Sequence, residues 1–261
     1  MISDNSVVIH VPHASTIIPK EYLDGILFSK EELEDEILWA TDILCDDLFA
    51  PAFGTRVIAE SSRLACDVER MRDDADEPCA LFGNGLLYTH TQRGIAFRQP
   101  DNALRERALI EIYDPHHLKL TAAVNDALCA SDTCLIIDGH SFCDDLAVGE
   151  NLPDFCLGTD GFHTPGILIE RAKSFLESKG YSVAINYPYS GSMVPMAYYK
   201  KDKRVKTLML EMNKRLYLNQ SLPGGSNQYL HFCEMLSDRY PCIKETITEL
   251  IMTLIKSGEA L

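Results

Sequence analysis

The stretch Ser6-Val7-Val8-Ile9-His10-Val11-Pro12-His13 decides the fold. Ser6–His10 is a short apolar, β-branched run that ends in a turn at Val11-Pro12-His13. Such a run reads as a buried strand that delivers polar side chains to its C-terminal edge. Downstream, Ser29-Lys30-Glu31-Glu32 forms a capping-box-like helix start. Leu33, Ile37, Leu38, Cys45, Leu48 and Phe49 then keep helical spacing through residues 31–49, with a break expected near Ala40-Thr41. Gly54 closes that helix, and Arg56–Ala59 reads as a second strand. A β-α-β start implies a parallel sheet with a right-handed crossover.

The rest of the chain continues the pattern. Asp73–Arg98 is rich in Gly, Asp and Pro and reads as irregular, and Asn102–Ala130 is a long helical pattern with Pro115 at a helix start or kink. Thr133–Ile137 is a third strand, followed by Asp138-Gly139-His140-Ser141-Phe142. Phe155–Gly158, Ser182–Ile185 and Thr207–Met212 read as three more strands; Pro165–Lys179 and Cys242–Lys256 read as helices. Asn186–Tyr199, with two Pro, a Gly and four Tyr, is expected as a structured loop. The reading is one α/β domain over residues 1–261, with a mostly parallel central sheet and helices on both faces.

Charge narrows the partners. The 261 residues carry 24 Lys+Arg against 39 Asp+Glu, a formal net charge of −15, and 46 % are hydrophobic. The chain is globular, without a basic excess for phosphate backbones or anionic membranes. No window reads as a signal peptide or a transmembrane helix. Nine cysteines (Cys45, Cys66, Cys79, Cys129, Cys134, Cys143, Cys156, Cys233 and Cys242) without metal-binding spacing are expected as reduced thiols, and the location as cytoplasmic.

In open α/β sheets the site lies beyond the carboxyl ends of the strands. There this chain places His10 and His13, then Ser62, Arg63, Asp67, Glu69 and Arg70, then Asp138, His140 and Ser141, and finally Glu211. Two His at separate strand ends with a carboxylate suit a hydrolytic zinc site, which takes about three protein ligands and needs a base for its water. Glu211, embedded in Leu208-Met209-Leu210-Glu211-Met212, is costly to bury unless paired or functional.

Several motifs occur together in order: His10-Val11-Pro12-His13-Ala14-Ser15, Ala40-Thr41-Asp42, Ser62-Arg63, Asp67-Val68-Glu69-Arg70, Asp138-Gly139-His140-Ser141-Phe142, Asn186-Tyr187-Pro188-Tyr189-Ser190-Gly191 and Leu210-Glu211-Met212-Asn213-Lys214-Arg215-Leu216-Tyr217. From about residue 8 to 218 the chain resembles the N-formylglutamate amidohydrolase family. The resemblance implies a zinc-exopeptidase or phosphorylase/hydrolase-like fold and a divalent metal, Zn²⁺ first. It implies His13, Asp42 on the following helix, and His140 as ligands, with Glu211 activating water. His10 is the rival ligand, through an HxxH pair with His13. The substrate implied is a small anionic N-acyl amino acid, N-formyl-L-glutamate or a relative. Arg63 and Arg70 are the candidates for its carboxylates, because guanidinium binds carboxylate as a fork; Arg93, Arg98 and Arg215 are secondary ones. Tyr189 and Ser190, with Tyr187, are expected to close over the substrate. Glu69 departs from the pattern, which carries Asn there, and adds a negative charge beside the presumed carboxylate site.

Three other readings stay open: hydrolysis of another N-acyl amino acid or peptide-like amide, a non-catalytic binding protein on the same fold, and nucleophilic catalysis by Ser141 or Cys143. No G-x-S-x-G elbow supports the serine version.

Overall fold

The structure is a computed structural model that describes residues 6–144, 151–219 and 236–256. Cys233 lies outside these residues; the eight described cysteines are free thiols. Six strands form one mixed, mostly parallel sheet: β1 (Val7–Val11), β2 (Thr55–Ile58), β3 (Cys134–Phe142), β4 (Phe155–Gly158), β5 (Val183–Ile185) and β6 (Val205–Asn213), in the order β2-β1-β3-β6-β4-β5. Only the β4–β6 ladder is antiparallel. Every residue of β1, β3 and β6 is buried, and the stretches Val7–Ile9, Leu135–Ile137 and Leu208–Leu210 read as apolar runs for that reason.

Helices cover both faces. On one face α2 (Cys45–Leu48), α5 (Gly166–Ser178) and α6 (Tyr240–Lys256) pack Leu48, Leu168, Leu176, Ile247 and Leu250 against Ile9, Ile137, Leu208 and Leu210. On the other, α4 (Asp114–Ala130) packs Leu120, Val124 and Ala127 against Val8, Cys134 and Ile136. Side chains alternate along a strand. His10, Asp138, His140, Met209 and Glu211 therefore share the α4 face, and α4 covers only its lower part. Gly139 on β3 is required by close packing, since a Cβ there would lie 2.7 Å from the Phe49 ring.

The structure departs from the sequence reading at the end of β3 and within residues 102–130, each for a physical reason. β3 runs on through Phe142 because β6 pairs with it along its full length, from Cys134↔Val205 to Phe142↔Asn213. The β1–β3 ladder stops at His10↔Asp138; just beyond it Pro12 has no N–H to donate. The strands part there. The long pattern of residues 102–130 divides into α3 (Asn102–Ala108), one π-helical turn at Leu109–Tyr113, and α4 with Pro115 in its first turn; the wider turn accommodates the proline's missing donor. The break expected near Ala40-Thr41 is present: α1 (Lys30–Ala40), opened by the reciprocal Ser29–Glu32 capping box, ends at Ala40. Asp42 thus lies in the turn between α1 and α2 instead of on a helix.

Candidate active site

One cleft of about 670 Å³, counting its open mouth, lies beyond the C-terminal ends of β1, β3 and β6. It gathers His13, Asp42, Arg63, Arg70, His140, Tyr189, Ser190 and Glu211. Trp39, Ala40, Glu69, Gln92, Ser141, Phe142, Cys143, Met209 and Lys214 complete the lining.

The His13 and His140 rings face each other with centroids 5.1 Å apart. His13 donates from Nε2 to Asp67 Oδ1 at 2.8 Å, which leaves its buried Nδ1 without a hydrogen-bond partner. On His140, Nε2 faces Asp138 Oδ1 at 3.3 Å and Glu69 Oε1 at 3.2 Å, and Nδ1 faces Asp42 Oδ2 at 3.0 Å. Asp42 Oδ2 is also 3.7 Å from His13 Nδ1. The Asp42 turn is held in place by its own N–H, which donates to the His13 carbonyl at 2.9 Å.

These contacts fit a divalent cation. Two tetrahedral Zn²⁺ ligands at about 2.1 Å stand about 3.4 Å apart, and Asp42 Oδ2 keeps spacings of 3.0 and 3.7 Å to the two Nδ1 atoms. The partnerless Nδ1 of His13 is the atom such an ion would engage, and Asp67 and Asp138 back the two rings from behind. Carboxylates in that position fix the tautomer and raise ligand basicity. Among the described residues, the groups whose donor atoms all lie within 4.8 Å of one another are His13, Glu69 and His140, and His10, Glu69 and Asp138; Asp42 is in neither. Glu69 belongs to both.

The electrostatics agree. Burial alone would lower His140, but Glu69, Asp138 and Asp42 outweigh it and hold the imidazole well above its ordinary value. Burial would raise Asp67, yet Arg63, His13 and Arg70 keep it well below the carboxylate range. Glu211 behaves oppositely: burial, reinforced by Asp42 and Glu69, raises it from 4.5 to about 8. Its Oε2 is buried without a hydrogen-bond partner.

The basic residues divide their donors. Arg63 gives Nε and Nη2 to Asp67 Oδ2, at 3.1 and 2.8 Å. Arg70 gives Nε to the Asn84 carbonyl at 3.0 Å and Nη2 to the Tyr88 hydroxyl at 3.4 Å. Both residues line the cleft. The secondary candidates are engaged elsewhere: Arg93 with Glu36 and the Trp39 ring, Arg98 with the Leu64 carbonyl, Arg215 with Asp144 and Asp154. His10 uses both ring nitrogens, 2.7 Å from Asp138 and 2.9 Å from His116 Nε2.

Tyr189 and Ser190 reach the cleft because the chain passes very close to β4. A Cβ on Gly158 would stand 2.3 Å from the Gly191 carbonyl oxygen. Asp67 and Glu69 act here in ways that strand ends alone do not reveal. The Asp138-x-His140 spacing, two residues along one strand, is the only local signal for a backing carboxylate. Lys214 gives none.

The N-formylglutamate amidohydrolase family matches residues 5–218. The chain belongs to this family. N-formylglutamate amidohydrolases act on amide bonds, and this chain is a hydrolase of that class. Among solved structures, it is similar to an N-formylglutamate amidohydrolase from Ralstonia eutropha JMP134, at 22 % identity and a TM-score of 0.78, covering 98 % of this chain and 94 % of that one. It is also similar to the gene product Atu2144 from Agrobacterium tumefaciens, at 17 % identity and a TM-score of 0.67, covering 99 % and 95 %. Both likenesses concern the fold, which the N-formylglutamate amidohydrolase from Ralstonia shares across nearly its whole length. A comparison with curated proteins finds no match. Among the described residues, no helix is long and apolar enough to cross a membrane.

Proposed function

We propose that the chain is a metal-dependent amidohydrolase that converts N-formyl-L-glutamate, or a closely related N-acyl amino acid, to the free amino acid and formate or the matching carboxylate. The observation that carries this reading is the position of Asp42 Oδ2, 3.7 Å from His13 Nδ1 and 3.0 Å from His140 Nδ1, in the cleft that also holds Glu211. These three residues would hold the ion, first Zn²⁺. When bound, such an ion supplies Lewis-acid polarisation and a more acidic water.

The protein's own groups do the rest. Glu211, with a pKa near 8, lies close enough to neutrality to take a proton from the attacking water and return it to the departing amine. His140 is its register partner across the β3–β6 ladder, so base and ligand are held by one pair of strands. Arg63 and Arg70 orient a substrate carboxylate. Tyr189 and Ser190 border the cleft and limit water around the scissile bond.

Glu69 favours a second reading, hydrolysis of a less anionic N-acyl amino acid, because its carboxylate enters the same cleft. One experiment separates the readings. Turnover of N-formyl-L-glutamate, N-formyl-L-glutamine, N-acetyl-L-glutamate and a dipeptide is measured with the metal-loaded protein and after chelation. Preference for N-formyl-L-glutamate, lost on chelation and restored by Zn²⁺, supports the proposal. Activity that survives complete metal removal sinks it.

A further inference from the structure

Two arginines and one lysine line the cleft, and they are not equivalent. Arg63 and Arg70, both on the segment after β2, share the buried Asp67 as counter-ion. Lys214 follows β6, on the other side of β3, in the turn that begins directly after Asn213. It is only 6 % exposed. Its ammonium donates to the carbonyls of Thr41 at 2.7 Å and, weakly, of Trp39 at 3.4 Å. Among the described residues no carboxylate forms an ion pair with it.

Buried ammonium groups are normally matched by an anion. The two carbonyls at the end of α1 offer partial negative charge and satisfy one strong donor. They leave a cation that no carboxylate among the described residues neutralises directly. That pattern is understandable if the missing anion arrives with the substrate.

We infer that Lys214 is a specificity-determining residue, which receives a second carboxylate of the substrate on the Glu211 side of the cleft. The inference rests on the amidohydrolase reading and extends it: Arg63 and Arg70 serve one carboxylate from the β2 side, and Lys214 serves the other from the β6 side. The substrate class is then an N-acyl derivative of a dicarboxylic amino acid. Lys214 also ties the Trp39–Thr41 turn beside Asp42, so a purely structural role must be separated from charge recognition.

The probes are glutarate and glutaramate, which match in length and differ by one carboxylate. Each is titrated calorimetrically into the metal-loaded wild type, Lys214→Met and Lys214→Arg, with the metal content of every sample measured. The wild type is expected to bind glutarate about tenfold or more tightly than glutaramate, since a charge-assisted contact contributes at least that factor. Lys214→Met brings the two affinities within about twofold, and Lys214→Arg retains most of the preference. A preference that persists in Lys214→Met, or is missing from the wild type, overturns the inference. So does an equal loss of affinity for both probes, with or without loss of metal, which assigns Lys214 to the turn alone. Turnover of N-formyl-L-glutamate by the wild type is scored separately: its absence beside an intact glutarate preference removes the hydrolase reading and leaves the anion site standing.

Discussion

His140 on β3 stands in register with Glu211 on β6, and both side chains emerge on the face that α4 only partly covers. Neighbouring strands lie about 4.8 Å apart, so a metal-ligand candidate and a base candidate are fixed relative to each other by backbone hydrogen bonds. A loop would not hold that distance. The relationship makes the roles of the two residues separable by substitution.

Glu211→Gln keeps shape and removes the proton acceptor. The expected result is a fall in kcat/KM of about 10²–10⁴ with N-formyl-L-glutamate, while bound metal stays at the wild-type level. Steady-state kinetics with parallel elemental analysis checks it; retention of a tenth of the activity would refute the assigned role.

The same residue sets a pH dependence of stability. Its folded pKa, about 8, lies above the ordinary 4.5. Between these values the folded state holds more protons than the unfolded one, so stability falls as pH rises through that window and levels off above about 8. In metal-free protein, the denaturant midpoint of Glu211→Gln is expected to gain on wild type steadily from pH 5 to pH 8. Parallel pH profiles for the two proteins would contradict this.

Asp67 is joined to His13 Nε2 at 2.8 Å and is held by Arg63 and the Tyr88 hydroxyl. Asp67→Asn weakens its hold on the His13 tautomer and is expected to lower metal affinity by about 10–100-fold. Competition with a chromophoric chelator measures it. An unchanged metal affinity would show that His13 is oriented by something else.

Glu69 is 3.2 Å from His140 Nε2 and 3.7 Å from His13 Nδ1. Glu69→Gln removes a negative charge from the metal surroundings and from the substrate's path. Metal affinity is expected to fall about tenfold, in line with loss of a close carboxylate, and KM for an anionic substrate to fall as well. Metal titration and kinetics on one preparation test both; a rise in KM would place Glu69 on the substrate's binding side.

Gly158→Ala probes the closeness of β4 to the segment carrying Tyr189 and Ser190. The new methyl would meet the Gly191 carbonyl oxygen and Met209 Cε, each at 2.3 Å. Overpacking of this kind costs about 1–3 kcal/mol, so a lower melting temperature is expected together with a higher KM. An unchanged KM would mean that Tyr189 and Ser190 do not touch substrate.

Much of this architecture is legible along the chain. The strands read at Ser6–His10 and Thr207–Met212 carry the apolar stretches Val7–Ile9 and Leu208–Leu210 because both faces of those strands are buried, and the Ser29–Glu32 capping box forms as its spacing implies. Polar residues at strand ends mark the place of the cleft for the same topological reason. Other features are not legible. The Asp138–Phe142 segment looks like a loop until β6 pairs with it, and Asp42 looks helical until α1 stops at Ala40.

By itself, then, the order of apolar runs and breakers determined a mostly parallel α/β sheet and the edge at which His13, His140 and Glu211 emerge. The tertiary structure alone decided which ring nitrogens face one another, that Asp67 backs His13 across 54 positions, that Glu69 turns toward the two histidines, and that Lys214 reaches Thr41 across 173. Periodicity encodes burial over a few residues. Contacts between segments so far apart depend on strand register and on where β1 and β3 part, and no local pattern carries that information.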